Sequence, residues 1–315
     1  MKPSFRNAVF CGLVATFLLG TSQQANAAAG AQSLTLRPTN GATTVTRVET
    51  VFGNSIAAGY CGLFCRIDSY AVHFGRDIAN GVRANVSYKG KAVSGETMSQ
   101  IVGRINNNST DLAAADYVVL EGCGNDYLNA RTAYRKQTNC TDETVINTAL
   151  TTCKTQMVRA LDAIAAKRKA GSKVTVMAIY YPGINDDKGR SCNGMSHFDI
   201  FLDYISEGNW FTCNEAWKRG FKCVDGIAAV NAADVDTAKD ADADIDANQV
   251  RMSQATDTDN LAAYLTRIND NKAVLTDGHS KVTATGTVDF LQSDNTHPTA
   301  AGHRRLGAEH TAAGI

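Results

Sequence analysis

Apolar and polar positions alternate along this chain in a way that predicts strands followed by helices. Residues 47–52 (R-V-E-T-V-F) carry β-type side chains and stop at Gly53, which predicts a strand running into a turn. A helical period follows over 67–80, then a short strand near 84–88 and a second helical stretch reaching about Asn106. Asp116-Tyr-Val-Val-Leu120 is an apolar run closed by Gly122 and Gly124, as expected of a strand buried on both faces. Residues 142–170 have helical composition, and Lys173 to Tyr181 form the strongest strand signal, ended by Pro182-Gly183. The stretch 184–225 holds three cysteines and both tryptophans and predicts a loop-rich insertion with some helix. A helix over about 247–268, a short strand at 273–276 and a helix beginning near Thr299 complete the pattern. Strands alternating with helices predict an α/β fold, a three-layer sandwich with a mainly parallel central sheet flanked by helices. No internal repeat is evident.

The N-terminal pattern is different in kind. Lys2 and Arg6 precede an apolar run from Ala8 to Leu19, and Ala25-Asn26-Ala27 places small residues where a signal peptidase cuts. Residues 1–27 therefore predict a signal peptide and a protein that is secreted or periplasmic. The run is short for a membrane span, so no integral membrane segment is expected after cleavage. Cys11 does not suggest a lipoprotein, because Phe10 stands where a small residue is needed. Residues 28–45, rich in Ala, Thr and Gly, predict a loose N-terminal segment, and 46–315 a single domain.

Charge removes one class of partner. Formal net charge is zero, and losing Lys2 and Arg6 with the leader makes it slightly acidic, so nothing favours nucleic acid. Outside the leader stand Cys61, Cys65, Cys123, Cys140, Cys153, Cys192, Cys213 and Cys223. An even set behind an export signal predicts disulfides, whereas a metal site would call for C-x-x-C pairs, which are absent. Short loops favour Cys61–Cys65 and Cys140–Cys153. Asn85, Asn108 and Asn139 begin glycosylation sequons that matter only in a eukaryotic host.

In a parallel sheet, chemistry gathers at the carboxyl ends of the strands, and reactive residue types stand there. Gly53-Asn54-Ser55-Ile56 follows the first strand; a serine here fits either a helix cap or a nucleophile beside backbone N–H donors. Gly95 follows the second strand in Ser-Gly-Glu-Thr, where a glycine is an ordinary turn residue or brings an N–H close to substrate oxygen. Glu121-Gly122-Cys123-Gly124-Asn125-Asp126 follows the third, and Asn125 fits an Asx-turn or an oxyanion donor. Asp294-Asn295-Thr296-His297-Pro298 precedes the last helix. Of the six histidines (His73, His197, His279, His297, His303 and His310) only His297 has an acid set to orient it as a base.

Taken in this order, the residues resemble the SGNH, or GDSL-type, hydrolases, with Ser55, Gly95, Asn125 and His297 in the four named blocks and Asp294 in the D-x-x-H position. The resemblance spans roughly 48–312. Within the family it is closest to secreted, disulfide-bonded bacterial lipases and esterases, through Asp68-Ser69-Tyr70-Ala71 and the run from His297 to Leu306. It implies an SGNH/flavodoxin-like fold and a secreted carboxylic-ester hydrolase. Ser55 would be the nucleophile, His297 the base and Asp294 its orienting acid, with Ser55, Gly95 and Asn125 around the oxyanion. It implies no metal or organic cofactor, and a monomer acting on a small-molecule or lipid ester. An O-acetyl esterase acting on carbohydrate with the same triad is the alternative; a catalytically silent binding module would predict damage to these residues, and all are intact. The G-x-S-x-G elbow of α/β-hydrolases is absent. Two departures stand out: Asn54 where the family has Asp, and Cys123 where the G-x-N-D glycine would be.

Two features remain outside that picture. Eight aspartates between Asp234 and Asp259 fit a solvated acidic segment or a Ca²⁺ site, although Ile245 and Arg251 break any EF-hand pattern counted from Asp240. Trp210, Phe211, Trp217 and Phe221 fit packing under a loop, or the wall of an acyl or sugar pocket.

Overall fold

The computed structural model describes residues 32–41, 43–62, 65–192, 194–232, 250–254, 260–283 and 286–314. The leader expected over 1–27 and the eight aspartates from Asp234 to Asp259 lie outside the described residues. The first half of the chain runs β1 (Gln32–Leu36), β2 (Thr46–Phe52), α1 (Tyr70–Val82), β3 (Asn85–Gly90), α2 (Met98–Asn107), α3 (Ser109–Ala114), β4 (Tyr117–Glu121) and α4 (Gly124–Tyr134). There follow α5 (Thr144–Lys167), β5 (Lys173–Ala178), α6 (Ile184–Lys188), the short pair β6 (Ser191–Cys192) and β7 (Met195–Ser196), α7 (His197–Lys218) and β8 (Lys222–Asp225). The last described elements are α8 (Leu261–Asp270), β9 (Lys281–Thr283), β10 (Gly286–Val288) and α9 (Ala300–Gly314).

The main sheet has the order β1-β3-β2-β4-β5-β8, and only β1 is antiparallel to its neighbour. β4 is buried at every position, which explains its uninterrupted apolar run. One apolar layer packs Tyr70, Phe74 and Ile78 of α1 and Leu306 of α9 against Val51, Val119 and Met177 of the sheet. On the other face Ile101, Met157, Leu161 and Phe201 of α2, α5 and α7 cover Phe52, Val118 and Val176. The three-layer α/β sandwich follows from these two faces. After β3 the chain crosses back over β2 to form β4. The carboxyl ends of β2 and β4 thus flank the switch point where doubly wound sheets open a crevice.

Several expectations need correcting. Residues 32–36, expected within a loose segment, form the edge strand β1, which pairs Gln32–Leu36 with Gly90–Val86. The stretch 184–225 is not loop-rich: α7 and the parallel strand β8 fill most of it. Phe198, Phe201, Leu202, Ile205, Asn209 and Cys213 recur at helical spacing and are all buried, a period that the cysteines and aromatics disguise. Trp210 is core, stacked at 5.7 Å on Tyr264 and edge-on to Trp217 at 6.2 Å, so the tryptophans serve packing. The helix expected over 247–268 is α8, while 251–254 are irregular. The strand expected at 273–276 is a 3₁₀ turn (Lys272–Val274), and Thr276 beyond it exchanges hydrogen bonds with Asn231, with no strand paired to it among the described residues. β5 stops at Ala178. Beyond it, Asn209 bonds both backbone groups of Ile179 (3.1 and 2.7 Å) and Asn231 those of Tyr181 (2.7 and 3.0 Å), so side-chain amides replace a ladder.

The four disulfides are Cys61–Cys65, Cys123–Cys153, Cys140–Cys192 and Cys213–Cys223. The Cys140–Cys153 pairing is therefore wrong: Cys153 points from α5 to the loop before α4, and Cys140 meets β6. His197 lies near Cys140 and Cys192, but both sulfurs are committed to each other, so the three form no metal site.

Candidate active site

Ser55 sits on one tight helical turn directly after β2. Ala58 N–H donates to Asn54 O (3.0 Å) and Tyr60 N–H to Ser55 O (3.0 Å), which turns the chain sharply out of the sheet. Gly53 is obligatory in this turn, since a Cβ would lie 2.6 Å from Ala57 Cβ and 2.9 Å from Glu121 Oε2. Gly59, at φ +70°, closes it, and a Cβ there would meet Ile67 O at 2.2 Å.

Asn54 does not face solvent. Its Oδ1 accepts from Ile56 N–H (3.0 Å), its Nδ2 donates to Glu121 Oε1 (2.7 Å), and its N–H donates to Glu121 Oε2 (3.0 Å). Glu121 is fully buried at the end of β4. Burial pushes its carboxyl up, and the hydrogen bonds from Asn54 pull back, leaving it raised to about 7.

The other chain ends converge on this turn. Gly95 has φ +83° with open space where a Cβ would stand. Its neighbour Glu96 is tied to Arg104 of α2, and Glu96 O accepts from Asn125 Nδ2 (2.8 Å). Asp126 Oδ2 in turn accepts from Met98 N–H (2.9 Å), so the starts of α2 and α4 are joined. Asn125 stands in the first turn of α4, which Cys123 opens at φ +69°, a left-handed conformation usual for the glycine that Cys123 replaces.

His297 comes from the loop before α9. Leu291 bridges to Pro298, Gln292 N–H donates to His297 O (2.8 Å), and Asn295 turns at φ +54° with its Oδ1 2.7 Å from His279 Nε2. Tyr180, after β5, donates its hydroxyl to Thr296 O. Asp294 clamps the turn locally, taking both His297 N–H and Thr296 N–H on Oδ1 at 2.9 Å. Partial burial opposes ionisation of Asp294, but the hydrogen bonds from the His297 ring and from these N–H groups outweigh it and bring the carboxyl down to about 2.

These elements bring together Ser55, His297 and Asp294. His297 Nε2 is 3.0 Å from Ser55 Oγ, and His297 Nδ1 is 2.7 Å from Asp294 Oδ2. Gly95 and Asn125 stand on the two adjoining strand ends. A shallow, mainly apolar depression lies on the α4 side, lined by Tyr127, Leu128, Ile179, Phe201 and Ile205 among others. His303 and His310, by contrast, are buried in α9; desolvation holds both at about 3, so they are neutral packing groups. Glu121, Tyr60 and Tyr180 escape sequence reasoning. Only Glu121 left a signal, as a charged residue ending an apolar strand run just ahead of Gly122.

The chain matches the GDSL-like lipase/acylhydrolase family over residues 51–305. No curated protein matches it. Among solved structures it is similar to the lipase Lip_vut3 from a goat rumen metagenome, with TM-score 0.57, 18% identity, and coverage of 84% of this chain and 96% of that one. It is also similar to an extracellular lipase from Streptomyces rimosus, with TM-score 0.49, 16% identity, and coverage of 85% and 99%. At 18% identity the first likeness shows the shared fold alone. The family match extends from within β2 to within α9, and with it the chain belongs to the GDSL-like lipase/acylhydrolase family as a serine ester hydrolase.

Proposed function

We propose that Ser55 is the nucleophile, His297 the general base and Asp294 the acid that orients it. The contact of 3.0 Å between His297 Nε2 and Ser55 Oγ carries this reading, with the 2.7 Å bond behind it that fixes the tautomer. As Ser55 Oγ attacks the ester carbonyl, His297 takes its proton, and the carbonyl oxygen gains negative charge. In this reading the N–H groups of Ser55 and Gly95 and the Asn125 amide hold that charge. His297 then returns the proton to the leaving alcohol, and water, activated by the same base, releases the acid from the acyl-serine.

Hydrolysis of p-nitrophenyl esters from acetyl to palmitoyl by wild type and Ser55→Ala tests the mechanism. Wild type should turn over and Ser55→Ala should lose activity by several orders of magnitude; equal rates would overturn it. Export is part of the same proposal, supported by four disulfides in one chain. N-terminal sequencing of the exported protein should begin at Ala28 or one residue later.

A further inference from the structure

We propose that Asn54 and Glu121 are a matched positioning pair for the nucleophile turn, in which the amide at 54 and the carboxyl at 121 each require the other. The proposal rests on Ser55 being the nucleophile, which directly follows Asn54. It begins from a count of donors and acceptors. Asn54 must accept at one end, from Ile56 N–H at 3.0 Å, and donate at the other, to Glu121 Oε1 at 2.7 Å. An amide offers both at once without titrating, whereas a carboxyl of the same shape does so only while it holds a proton. Glu121 must accept twice, from Asn54 N–H and from Asn54 Nδ2, which a carboxylate does with its two oxygens.

The surroundings leave no other partner geometry. A Cβ at Gly53 would lie 2.9 Å from Glu121 Oε2, and one at Gly124 would lie 3.2 Å from Asn54 Nδ2. Two glycines thus let the β2 and β4 ends close around the pair, and both side chains are buried. Through this contact the end of β4, which leads into Asn125, is fixed against the turn that carries Ser55. The titratable groups around Glu121 are Asp126 of α4, Tyr70 of α1 and Tyr180 after β5. None of them donates to its carboxyl oxygens; both are taken by Asn54.

Asn54→Asp keeps size and shape but sets two carboxyls 2.7 Å apart, so one must hold a proton, and rising pH breaks the pair by forcing both to ionise. Glu121→Gln turns one accepting oxygen into a donor that meets a donor. In the double variant the amide introduced at 121 accepts from the backbone N–H of position 54 and donates to the carboxylate introduced there. All three bonds are then restored, and only the one between the two side chains has its polarity reversed.

The test measures kcat and KM for p-nitrophenyl butyrate across about pH 6 to pH 9, with thermal midpoints, for wild type, Asn54→Asp, Glu121→Gln and the double variant. Each single change should lower kcat by about tenfold or more with little effect on KM, and the loss in Asn54→Asp should deepen as pH rises. The double variant should recover to within about threefold of wild type, with the pH-dependent loss gone. Wild-type kcat and pH profile in Asn54→Asp, or a double variant no better than the worse single, would overturn the pairing. Should a single variant fail to fold, recovery of soluble yield and thermal midpoint in the double variant reads the same coupling, and its absence counts against the pair. A Ser55→Ala protein as active as wild type would sink the nucleophile assignment instead, while the coupling in thermal midpoints would still judge the pair.

Discussion

The ring of Tyr60 packs on that of His297, with centroids 4.5 Å apart and planes tilted by 50°. Tyr60 N–H donates to Ser55 O, and Tyr60 O accepts from Gln292 Nε2 at 3.3 Å, so one residue joins the turn of Ser55 to the loop of His297. Cys61–Cys65 clips the loop immediately beyond it. A tyrosine face beside an imidazole that becomes cationic during reaction is worth about 0.5–1 kcal/mol at a partly exposed site. Tyr60→Ala should therefore lower kcat about two- to fivefold, and Tyr60→Phe should retain it. Steady-state kinetics on the two variants decides the point; an equal loss in both would assign the effect to the hydroxyl.

Asp294 should remain ionised far below neutrality. Its folded value of about 2 lies under its ordinary 3.8, so what it adds to the turn is fully present above 3.8 and fades as pH falls through about 2. An NMR titration of the carboxyl carbon should show that midpoint. Asp294→Asn should cost about 10²–10⁴ in kcat, since the amide supports the wrong tautomer of His297. A midpoint near 4 would remove the argument for a strong Asp294–His297 bond.

What the sequence made legible follows the range of each interaction. The D-x-x-H turn is readable because the bonds Asp294 makes to it lie within three residues, and β4 because burial on both faces removes every polar residue until Glu121. Asn54–Glu121 spans 67 positions, and Tyr60–His297 more than that, so neither leaves a local pattern. Disulfide pairing fails for the same reason: Cys140 closes a 52-residue separation onto Cys192, which no short-loop rule selects. In α7 the apolar period is present, but cysteines and tryptophans within it mimic the composition of a loop.

Cys123 occupies a left-handed position at the start of α4, just ahead of Asn125, and is bonded across 30 residues to Cys153 on α5. Loop-closure entropy assigns a crosslink of that span about 3–4 kcal/mol. Cys123→Ala with Cys153→Ala should lower the thermal midpoint, and kcat should fall as Asn125 loses its anchor. Cys123→Gly with Cys153→Ala should lose less, because glycine adopts φ +69° without strain. Melting curves in non-reducing buffer compare the two; a lower midpoint for the glycine pair would contradict the strain argument.

Glu49 lies in the middle of β2, fully buried, and neither carboxyl oxygen has a hydrogen-bond partner among the described residues. Gly75 of α1 leaves it room, since a Cβ there would come within 2.2 Å of Oε2. Burial without a partner drives its carboxyl well above the ordinary 4.5, so the folded chain keeps it protonated. The sign follows from linkage: below 4.5 the carboxyl is protonated in both states and adds no pH dependence, and stability falls as pH rises above that value, because only the unfolded chain releases the proton freely. Glu49→Gln removes the titration and keeps the shape. Its thermal midpoint should equal that of wild type near pH 4 and exceed it by about 3 °C or more near pH 8. Melting curves of the two proteins that run parallel across this range would mean that the Glu49 carboxyl is ionised in the fold.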